Sequence, residues 1–304
     1  METRKIGSLT VSVVGLGCNN FGPRLDAEET RAVVHAALDA GVNFLDTADI
    51  YGMGLSEEYV GRALGPRRAE VVLATKFGMK MDERRRGAHP DYIREAVEDS
   101  LRRLGTDRID IYQLHTPDPS VPIADTLGAL DELVRAGKVV EIGCSNFSVE
   151  QLREARDAAP GARFQSVQNE YSLFHRDPEE SVLDECARQG LAFIPYFPLA
   201  SGLLTGKYRR GTPPPEGTRI TAGGRYAELL TEENLERVER LAQWAEARGH
   251  TLLELAFAWL LARGEVVSVI AGATSAAQVR SNAAASAWRL TPAERAEVDA
   301  LAVE

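Results

Sequence analysis

The sequence has 304 residues, of which 44% are hydrophobic and 26% are charged. This length suits one large α/β barrel or two ordinary domains, and the composition is typical of a chain that can fill a sizeable core. The 45 acidic residues outnumber the 35 lysines and arginines, which gives a formal charge of −10. An acidic chain of this kind argues against a nucleic acid partner and against an anionic membrane partner.

The cysteines and the first residues bear on the compartment. Cys18, Cys144 and Cys186 do not have the spacing of metal ligands, so they predict reduced thiols and no metal site. The segment that starts at Met1 has no apolar stretch like that of a signal peptide, and no later apolar run is long enough to span a bilayer. We therefore expect a cytoplasmic protein with no membrane partner.

Short apolar runs with β propensity alternate with amphipathic helical patterns along the chain. The runs predict strands at 11–17, 42–47, 71–76, 109–114, 139–144, 164–169, 192–197 and 266–271. The helical patterns cover 26–40, 56–64, 90–104, 122–136, 148–158, 178–189 and 231–262. Most strands are apolar throughout, which is typical of strands buried on both faces of a parallel sheet. Eight β–α units predict a single-domain (β/α)8 TIM barrel over residues 1–304.

Three segments depart from this alternation. Residues 2–10 precede the first buried strand and predict a short hairpin that closes the bottom of the barrel. Residues 199–228 form the longest irregular stretch and follow the seventh strand, which places them on the active face. Residues 275–301 predict two extra C-terminal helices.

Four residues with acid–base chemistry fall at the ends of three successive predicted strands. Asp46 closes one strand and Tyr51 lies in the loop beyond it, while Lys76 and His115 close the next two. Parallel α/β folds place their chemistry at the carboxyl ends of the strands, so these side chains are candidates for one active site.

Each of these residues also has a structural explanation. Asp46 could cap a turn, Tyr51 could cover the barrel mouth and His115 could be a hydrogen-bonded core histidine. Lys76 resists such an explanation, because an ammonium that ends an apolar strand must be paired or solvated. Three neighbouring strands that deliver an acid, a base and a cation to one rim favour a catalytic site.

The four residues suit the reduction of a carbonyl group. A phenol is a weak acid with a reference pKa of about 10, and a nearby ammonium stabilises its phenolate. Lys76 would thus make Tyr51 a proton donor, Asp46 would hold Lys76 charged and His115 would orient a carbonyl oxygen. No side chain supplies a hydride, so a nicotinamide cofactor is implied.

The motifs around these residues resemble those of the aldo-keto reductase family over essentially the whole chain. Seven motifs occur in the same order as in that family. They are Asp46-Thr-Ala-Asp-Ile-Tyr51-Gly52, Ala74-Thr-Lys76, Gln113-Leu-His115, Gly137-Lys-Val-Val-Glu-Ile-Gly-Cys-Ser145-Asn146-Phe147, Val167-Gln-Asn-Glu-Tyr171, Ile194-Pro-Tyr196-Phe197-Pro198-Leu199 and Gly202-Leu-Leu-Thr-Gly-Lys207-Tyr208. The resemblance implies the barrel, with Tyr51 as acid, Lys76 and Asp46 as its tuners and His115 as carbonyl orienter.

The resemblance also implies a cofactor site. Ser145, Asn146 and Gln168 would bind the carboxamide, Tyr196 would stack on the nicotinamide, and Lys207 or Arg219 would contribute charge to a loop around the pyrophosphate. In isolation, Ser145 and Asn146 could make a turn, Gln168 could cap a strand, and the basic residues could be solvated. The whole expected cofactor set is Asn19, Asp46, Ser145, Asn146, Gln168, Tyr196, Phe197, Pro198, Leu199, Gly202, Lys207, Arg219, Gly272, Thr274, Gln278 and Asn282.

Two features qualify the cofactor expectation. Gly15-Leu-Gly17 is not a Rossmann fingerprint, because the third glycine position of that pattern is Asn20. Gln278 occupies a position that is often basic in the family, although Thr274, Ser275 or Arg280 could recognise a 2′-phosphate. We expect NADPH, with NADH as the alternative.

Three hypotheses follow. The first is an NADPH-dependent reductase of a small-molecule aldehyde or ketone, which we expect to be a monomer, with an oligomer as the alternative. The second is a nucleotide-sensing subunit of the same fold with little turnover, like the potassium-channel beta subunits of this family. The third is a lyase that forms a Schiff base on Lys76, against which a partner carboxylate at Asp46 argues. The substrate would be selected by Asn20, Phe21, 79–86, 117–120 and 209–228.

Overall fold

Eight parallel strands form the centre of the structure, a computed structural model that describes residues 1–221 and 223–303. The predicted segments 199–228 and 209–228 contain residue 222, which lies outside the described residues. Two strands precede this sheet, β1 (Thr3–Ile6) and β2 (Leu9–Ser12). The eight strands of the sheet, in chain order, are β3 (Val14–Gly17), β4 (Phe44–Asp46), β5 (Val72–Phe77), β6 (Ile109–Leu114), β7 (Val139–Ser145), β8 (Phe164–Glu170), β9 (Ala192–Tyr196) and β10 (Val269–Gly272). The sheet order is β10-β3-β4-β5-β6-β7-β8-β9.

A short parallel bridge between Phe193 and Val266 joins the two ends of this sheet. The N–H of Val267 donates to the carbonyl of Phe193 at 2.9 Å, and the N–H of Phe193 donates to that of Glu265 at 2.8 Å. The strands therefore close into the (β/α)8 barrel that the sequence predicts, within a single domain.

Helices surround the barrel. They are α1 (Ala27–Asp39), α2 (Leu55–Leu64), α3 (Pro90–Leu104), α4 (Ile123–Arg135), α5 (Val149–Ala158), α6 (Val182–Gln189), α7 (Glu232–Glu246), α8 (Leu252–Leu261), α9 (Ala276–Ala285) and α10 (Pro292–Val303). Asp26 with Glu29, and Ser148 with Gln151, form the capping boxes that their spacing indicates. Among the described residues, no helix is both long and apolar enough to cross a bilayer.

The predicted hairpin closes the bottom of the barrel. Strands β1 and β2 pair antiparallel, and Ile6 and Val11 join the apolar cluster inside the barrel. Arg4 donates to the carbonyls of Leu261, Arg263 and Val266, which ties the hairpin to the chain between α8 and β10. A second and larger apolar cluster fills the space between the strands and the helices. The end of the barrel that remains open is the carboxyl end of the strands.

Two element boundaries differ from the prediction. The single strand expected at 11–17 is divided, because Ser12 bonds through its hydroxyl to the carbonyl of Val14 and through its N–H to the side chain of Asn43. The pattern at 231–262 is two helices rather than one, because Gly249 has a φ of 78° and Thr251 starts α8 with a capping box.

Candidate active site

The four residues singled out by the sequence meet at the carboxyl end of the barrel. Asp46 ends β4, Lys76 lies in β5, His115 follows β6, and Tyr51 begins a short 3-10 turn after β4. Lys76 is completely buried and Asp46 is 2% exposed. The parallel register places Asp46 of β4 opposite Ala74 of β5, so that the two loops that follow converge.

The ammonium of Lys76 is the centre of this group. Its Nζ donates to Asp46 Oδ2 at 2.5 Å and to the carbonyl of Thr47 at 2.9 Å. The same Nζ lies 3.5 Å from the hydroxyl of Tyr51. A buried ammonium with a carboxylate and a carbonyl as acceptors is compensated without water, which removes the objection to its burial.

Two glutamine side chains hold the other oxygen of Asp46. Gln113 Nε2 and Gln168 Nε2 each donate to Asp46 Oδ1 at 3.0 Å. Gln168 belongs to the predicted site, whereas Gln113 is not one of the predicted site residues and occurs only in the motif Gln113-Leu-His115. Its signal was present in the sequence, because Gln113 lies two positions before His115 and the faces of a strand alternate with a period of two.

Burial and charge act against each other on the two central groups. Burial raises the pKa of Tyr51 above its ordinary value, although the charge of Lys76 acts to lower it. Lys76 therefore acts on the pKa of Tyr51 in the expected direction, but its effect in the protein without ligands is smaller than that of burial. Burial acts to lower the pKa of Lys76, yet the charge of Asp46 raises it, and the net direction is upward. Lys76 is thus an ammonium at neutral pH.

His115 is held as a neutral imidazole. Burial, together with the charge of Lys76, lowers its pKa well below the ordinary value. Its Nδ1 has no hydrogen-bond partner among the described residues. The ring stands edge-on to Tyr51, with 5.8 Å between centroids and 81° between planes. Two polar groups of a buried site, the Tyr51 hydroxyl and the His115 ring, therefore face the same space.

That space is the inner end of a cleft of about 1090 Å³. Lys76 is too deeply buried to line it, but the other three predicted catalytic residues do. Every residue of the predicted cofactor set also lines it: Asn19, Asp46, Ser145, Asn146, Gln168, Tyr196, Phe197, Pro198, Leu199, Gly202, Lys207, Arg219, Gly272, Thr274, Gln278 and Asn282. All these residues therefore line the same cleft as the Tyr51 hydroxyl and the His115 ring.

Polar side chains beyond β7, β8 and β9 are linked to one another next to His115. Asn146 has a left-handed φ of 62°, and its Nδ2 donates to the carbonyl of His115 at 3.0 Å. Its Oδ1 accepts from the hydroxyl of Tyr196 at 2.8 Å. Ser145 Oγ donates to the carbonyl of Gln168 at 2.7 Å. These bonds fix the amide groups and the Tyr196 ring at the cleft wall before any ligand arrives.

Cations gather at the outer part of the cleft in spite of the acidic chain. Among the described residues that line the cleft, the basic side chains are Arg24, Lys207 and Arg219, and the one carboxylate is Asp46. Burial, with the charges of Arg24 and Arg219, lowers the pKa of Lys207. Arg24 also donates to the carbonyl of Gly217, and Arg219 donates to Asn19 and Asn20. Because Asp46 is already paired with Lys76, this part of the cleft favours an anion.

The segment that follows β10 forms the remaining wall. Thr274 donates to Gln278 Oε1 from its N–H at 2.7 Å and from its hydroxyl at 3.1 Å. Arg280 of α9 is not among the cleft-lining residues. Of the three groups that the sequence offers for a 2′-phosphate, Thr274 therefore lines the cleft, whereas Ser275 and Arg280 do not. No cluster of three or more side chains suited to a metal ion occurs among the described residues.

Comparison with known proteins places this architecture. The model of the aldo/keto reductase family matches residues 13–303. The chain is similar to the "Aldo-keto reductase yakc [NADP(+)]" of Schizosaccharomyces pombe, with 36% identity over 98% of this chain and 90% of the relative.

Solved structures agree over nearly the whole chain. The glycerol dehydrogenase AKR11B4 from Gluconobacter oxydans matches with a TM-score of 0.86 and 34% identity, over 98% of this chain and 94% of that one. The holo form of the aldo-keto reductase AKR11C1 from Bacillus halodurans matches with a TM-score of 0.83 and 34% identity, over 99% of this chain and 96% of that one. An aldo/keto reductase from Klebsiella pneumoniae in complex with NADP and acetate matches with a TM-score of 0.82 and 30% identity, over 98% of this chain and 94% of that one. With its barrel, its cleft and these matches taken together, the chain belongs to the aldo/keto reductase family.

Proposed function

We propose that the protein reduces an aldehyde or a ketone to an alcohol with NADPH, and that Tyr51 donates the proton. The observation that carries this proposal is the Lys76 ammonium, which contacts both Asp46 and the Tyr51 hydroxyl at the inner end of the cleft. The proposal is consistent with the NADP that the names of two similar proteins mention.

The residues of the cleft suit a dinucleotide. Its volume of about 1090 Å³ is slightly above the usual range for ligand pockets, about 300–1,000 Å³. The cations at Arg24, Lys207 and Arg219 suit phosphates, while Ser145, Asn146 and Gln168 offer amide and hydroxyl groups next to the Tyr196 ring. When it is bound, NADPH supplies the hydride that no side chain can supply.

The protein's own groups provide the proton and the orientation. As a carbonyl oxygen gains negative charge, the Tyr51 hydroxyl gives it a proton, and the phenolate that remains is stabilised by Lys76 at 3.5 Å. Asp46 keeps Lys76 charged, and Gln113 and Gln168 keep Asp46 in place. The neutral His115 ring can donate a hydrogen bond to the carbonyl oxygen without adding a second cation beside Lys76.

The state of Lys76 also separates this proposal from a Schiff-base lyase. A lyase lysine needs a neutral amine, and the usual device is a lowered pKa. The pKa of Lys76 is raised because Asp46 is its partner. The geometry therefore supports a permanent ammonium that serves Tyr51.

The proposal is tested by the loss of NADPH absorbance with a reactive aromatic aldehyde. We expect turnover in the wild type, and a loss of about a hundredfold or more in kcat in Tyr51→Phe, because general acid catalysis contributes about 10²–10⁴-fold. NADPH binding, followed by its fluorescence, should survive the substitution. Tyr59→Phe on α2, away from the cleft, is the matched control and should keep full activity.

Two results would count against the proposal. Tight NADPH binding without turnover of any aldehyde or ketone would favour the nucleotide-sensing role of the same fold. Equal turnover in the wild type and in Tyr51→Phe would remove Tyr51 as proton donor. A parallel series with NADH gives the cofactor preference, because Gln278 is neutral and Arg280 does not line the cleft.

A further inference from the structure

Asp49 is a buried carboxyl group that the proposed reaction does not use. It lies between Asp46 and Tyr51 in sequence and is 1% exposed. Its Oδ1 has no hydrogen-bond partner among the described residues. Its Oδ2 accepts a long hydrogen bond of 3.4 Å from the hydroxyl of Tyr92 on α3. A buried acid with half of its acceptor capacity unused is costly in its ionised form.

The groups that face Asp49 come from α2, α3 and β6. Glu57 on α2 is a second buried carboxylate, which accepts from Thr75 Oγ1 at 2.6 Å and from Arg103 Nε at 2.6 Å. Arg103 on α3 is thus already engaged by Glu57. Tyr112 on β6 is buried with a hydroxyl that has no partner among the described residues. Asp49 therefore meets one like charge, one shared cation and two phenols.

Burial and the charge of Glu57 raise the pKa of Asp49 to about 7, against the opposing action of Ile50, Arg103 and Tyr92. Tyr51, Lys76 and His115 titrate in other pH ranges. The pKa values of Tyr51 and Lys76 are raised above ordinary values of 10.0 and 10.5, and that of His115 is lowered well below 6.5. Asp49 thus changes charge near neutral pH, unlike these three groups.

The backbone around Asp49 connects it to both Lys76 and Tyr51. Its own N–H donates to the carbonyl of Lys76 at 3.1 Å. The N–H of Tyr51 donates to the carbonyl of Ala48 at 3.2 Å, which makes Asp49 and Ile50 the central residues of the turn that carries Tyr51. The Tyr92 bond attaches the same turn to α3. A shift of this turn moves the Tyr51 hydroxyl relative to Lys76 Nζ, from which it is separated by 3.5 Å.

We propose that Asp49 is a positioning residue, whose protonated carboxyl holds the turn that carries Tyr51 and whose ionisation displaces that turn and lowers activity. The proposal rests on the proposed function. Ionisation would strengthen the bond from Tyr92 but would also place a second negative charge near Glu57, and the proposed movement of the Tyr51 turn would relieve this repulsion. A misplacement of about 1 Å can cost about a hundredfold in rate, so a small displacement is enough.

The test is the pH dependence of kcat/KM with NADPH and an aromatic aldehyde, measured between about pH 5.5 and 9. This range extends roughly two pH units to either side of the pKa of Asp49. We expect the wild-type value to fall by about tenfold for each pH unit above the pKa of Asp49. Asp49→Asn keeps the shape of the side chain and cannot ionise, so its profile should lose this alkaline limb.

Two phenol variants sharpen the test. Tyr92→Phe removes a hydrogen bond that lowers the pKa of Asp49, so the limb should move to higher pH. Tyr112→Phe is the matched control, because its hydroxyl is buried nearby but has no partner among the described residues, and its limb should stay in place. Tyr92→Phe also gives the answer if Asp49→Asn fails to fold.

The outcomes are distinct. An unchanged alkaline limb in Asp49→Asn, or equal shifts in Tyr92→Phe and Tyr112→Phe, would overturn the positioning role of Asp49 while the reductase stands. Absence of turnover in the wild type at every pH would overturn the reductase and this proposal together. Loss of the limb in Asp49→Asn, with an alkaline shift in Tyr92→Phe alone, supports both.

Discussion

Asp46 and Lys76 form an ion pair in which each side chain depends on the other. Lys76 is completely buried and Asp46 is nearly so. Removal of one partner leaves a buried charge without compensation, which typically costs about 3–5 kcal/mol. The pair is therefore a test of stability as well as of catalysis.

We expect Asp46→Asn and Lys76→Met each to lower the free energy of unfolding by about 3–5 kcal/mol. The double variant should lose clearly less than the sum of the two, because it leaves neither charge alone. Urea unfolding at pH 7 of the wild type, both single variants and the double variant measures this coupling. Strict additivity would contradict the interpretation of the pair as mutually dependent.

At the residue scale, the sequence predicts the four polar residues at strand ends but not the groups that hold them. Asp46, Tyr51, Lys76 and His115 stand out because each interrupts an apolar pattern. Gln113 could have been found from the two-residue period of β6. The situation of Asp49 could not, because its cost of burial depends on Glu57 of α2 and on Tyr92 and Arg103 of α3, which a linear pattern does not bring together.

The segment after β9 brings two of the three basic side chains to the cleft. It carries Lys207 and Arg219, and Arg219 bonds to Asn19 and Asn20 of the loop after β3. Arg210 lies in the same segment but pairs with Glu232 and Glu236 at the start of α7. Arg210 and Arg219 are nine positions apart in the sequence and have different partners, the first outside the cleft and the second inside it.

We expect Arg219→Ala to weaken NADPH binding by about tenfold or more, because hydrogen bonds to charged groups contribute about 1.5–3 kcal/mol. The difference from the wild type should shrink at high salt, since the charge acts across a solvated cleft. Arg210→Ala should bind NADPH like the wild type. Fluorescence titration at low and high salt decides between them, and equal losses in both variants would show that the segment, not the cleft charge, is responsible.

At the element scale, the sequence predicts the eight barrel strands and the surrounding helices because apolar runs and capping boxes are local signals. It does not predict the division of 11–17, because the break depends on a hydrogen bond between Ser12 and Asn43, which are far apart in sequence. The division of 231–262 was readable from Gly249 and the capping box at Thr251. The irregular segment after β9 has no periodic signal, and its shape depends on contacts with other loops.

The stability of the whole molecule depends on pH through groups far from the cleft. Glu185 on α6 accepts from Arg153 of α5, from Arg188 and from Gln189. Burial acts to raise the pKa of Glu185, but these hydrogen bonds outweigh it and lower the pKa to about 2 from 4.5. A carboxyl with a lowered pKa stabilises the fold above its unfolded value and loses that contribution as the pH falls through its folded value.

We expect Glu185→Gln to lower the free energy of unfolding at pH 7, and the difference from the wild type to vanish as the pH falls from about 4.5 towards about 2. Asp184→Asn, one position earlier and exposed, should follow the wild type at every pH. Urea unfolding across this pH range provides the comparison. A constant difference for Glu185→Gln would show that its effect comes from packing and not from charge.

The order of strands in the barrel also has a consequence during synthesis. Strand β10 lies between β3 and β9 in the closed barrel, although it follows the other nine described strands in the sequence. Until residues 269–272 leave the ribosome, the growing chain can form only an open sheet, and the edges of β3 and β9 lack their partner. Unpaired edges of this kind are sites of aggregation. Most of the barrel is therefore synthesised before β10 can cover these two edges.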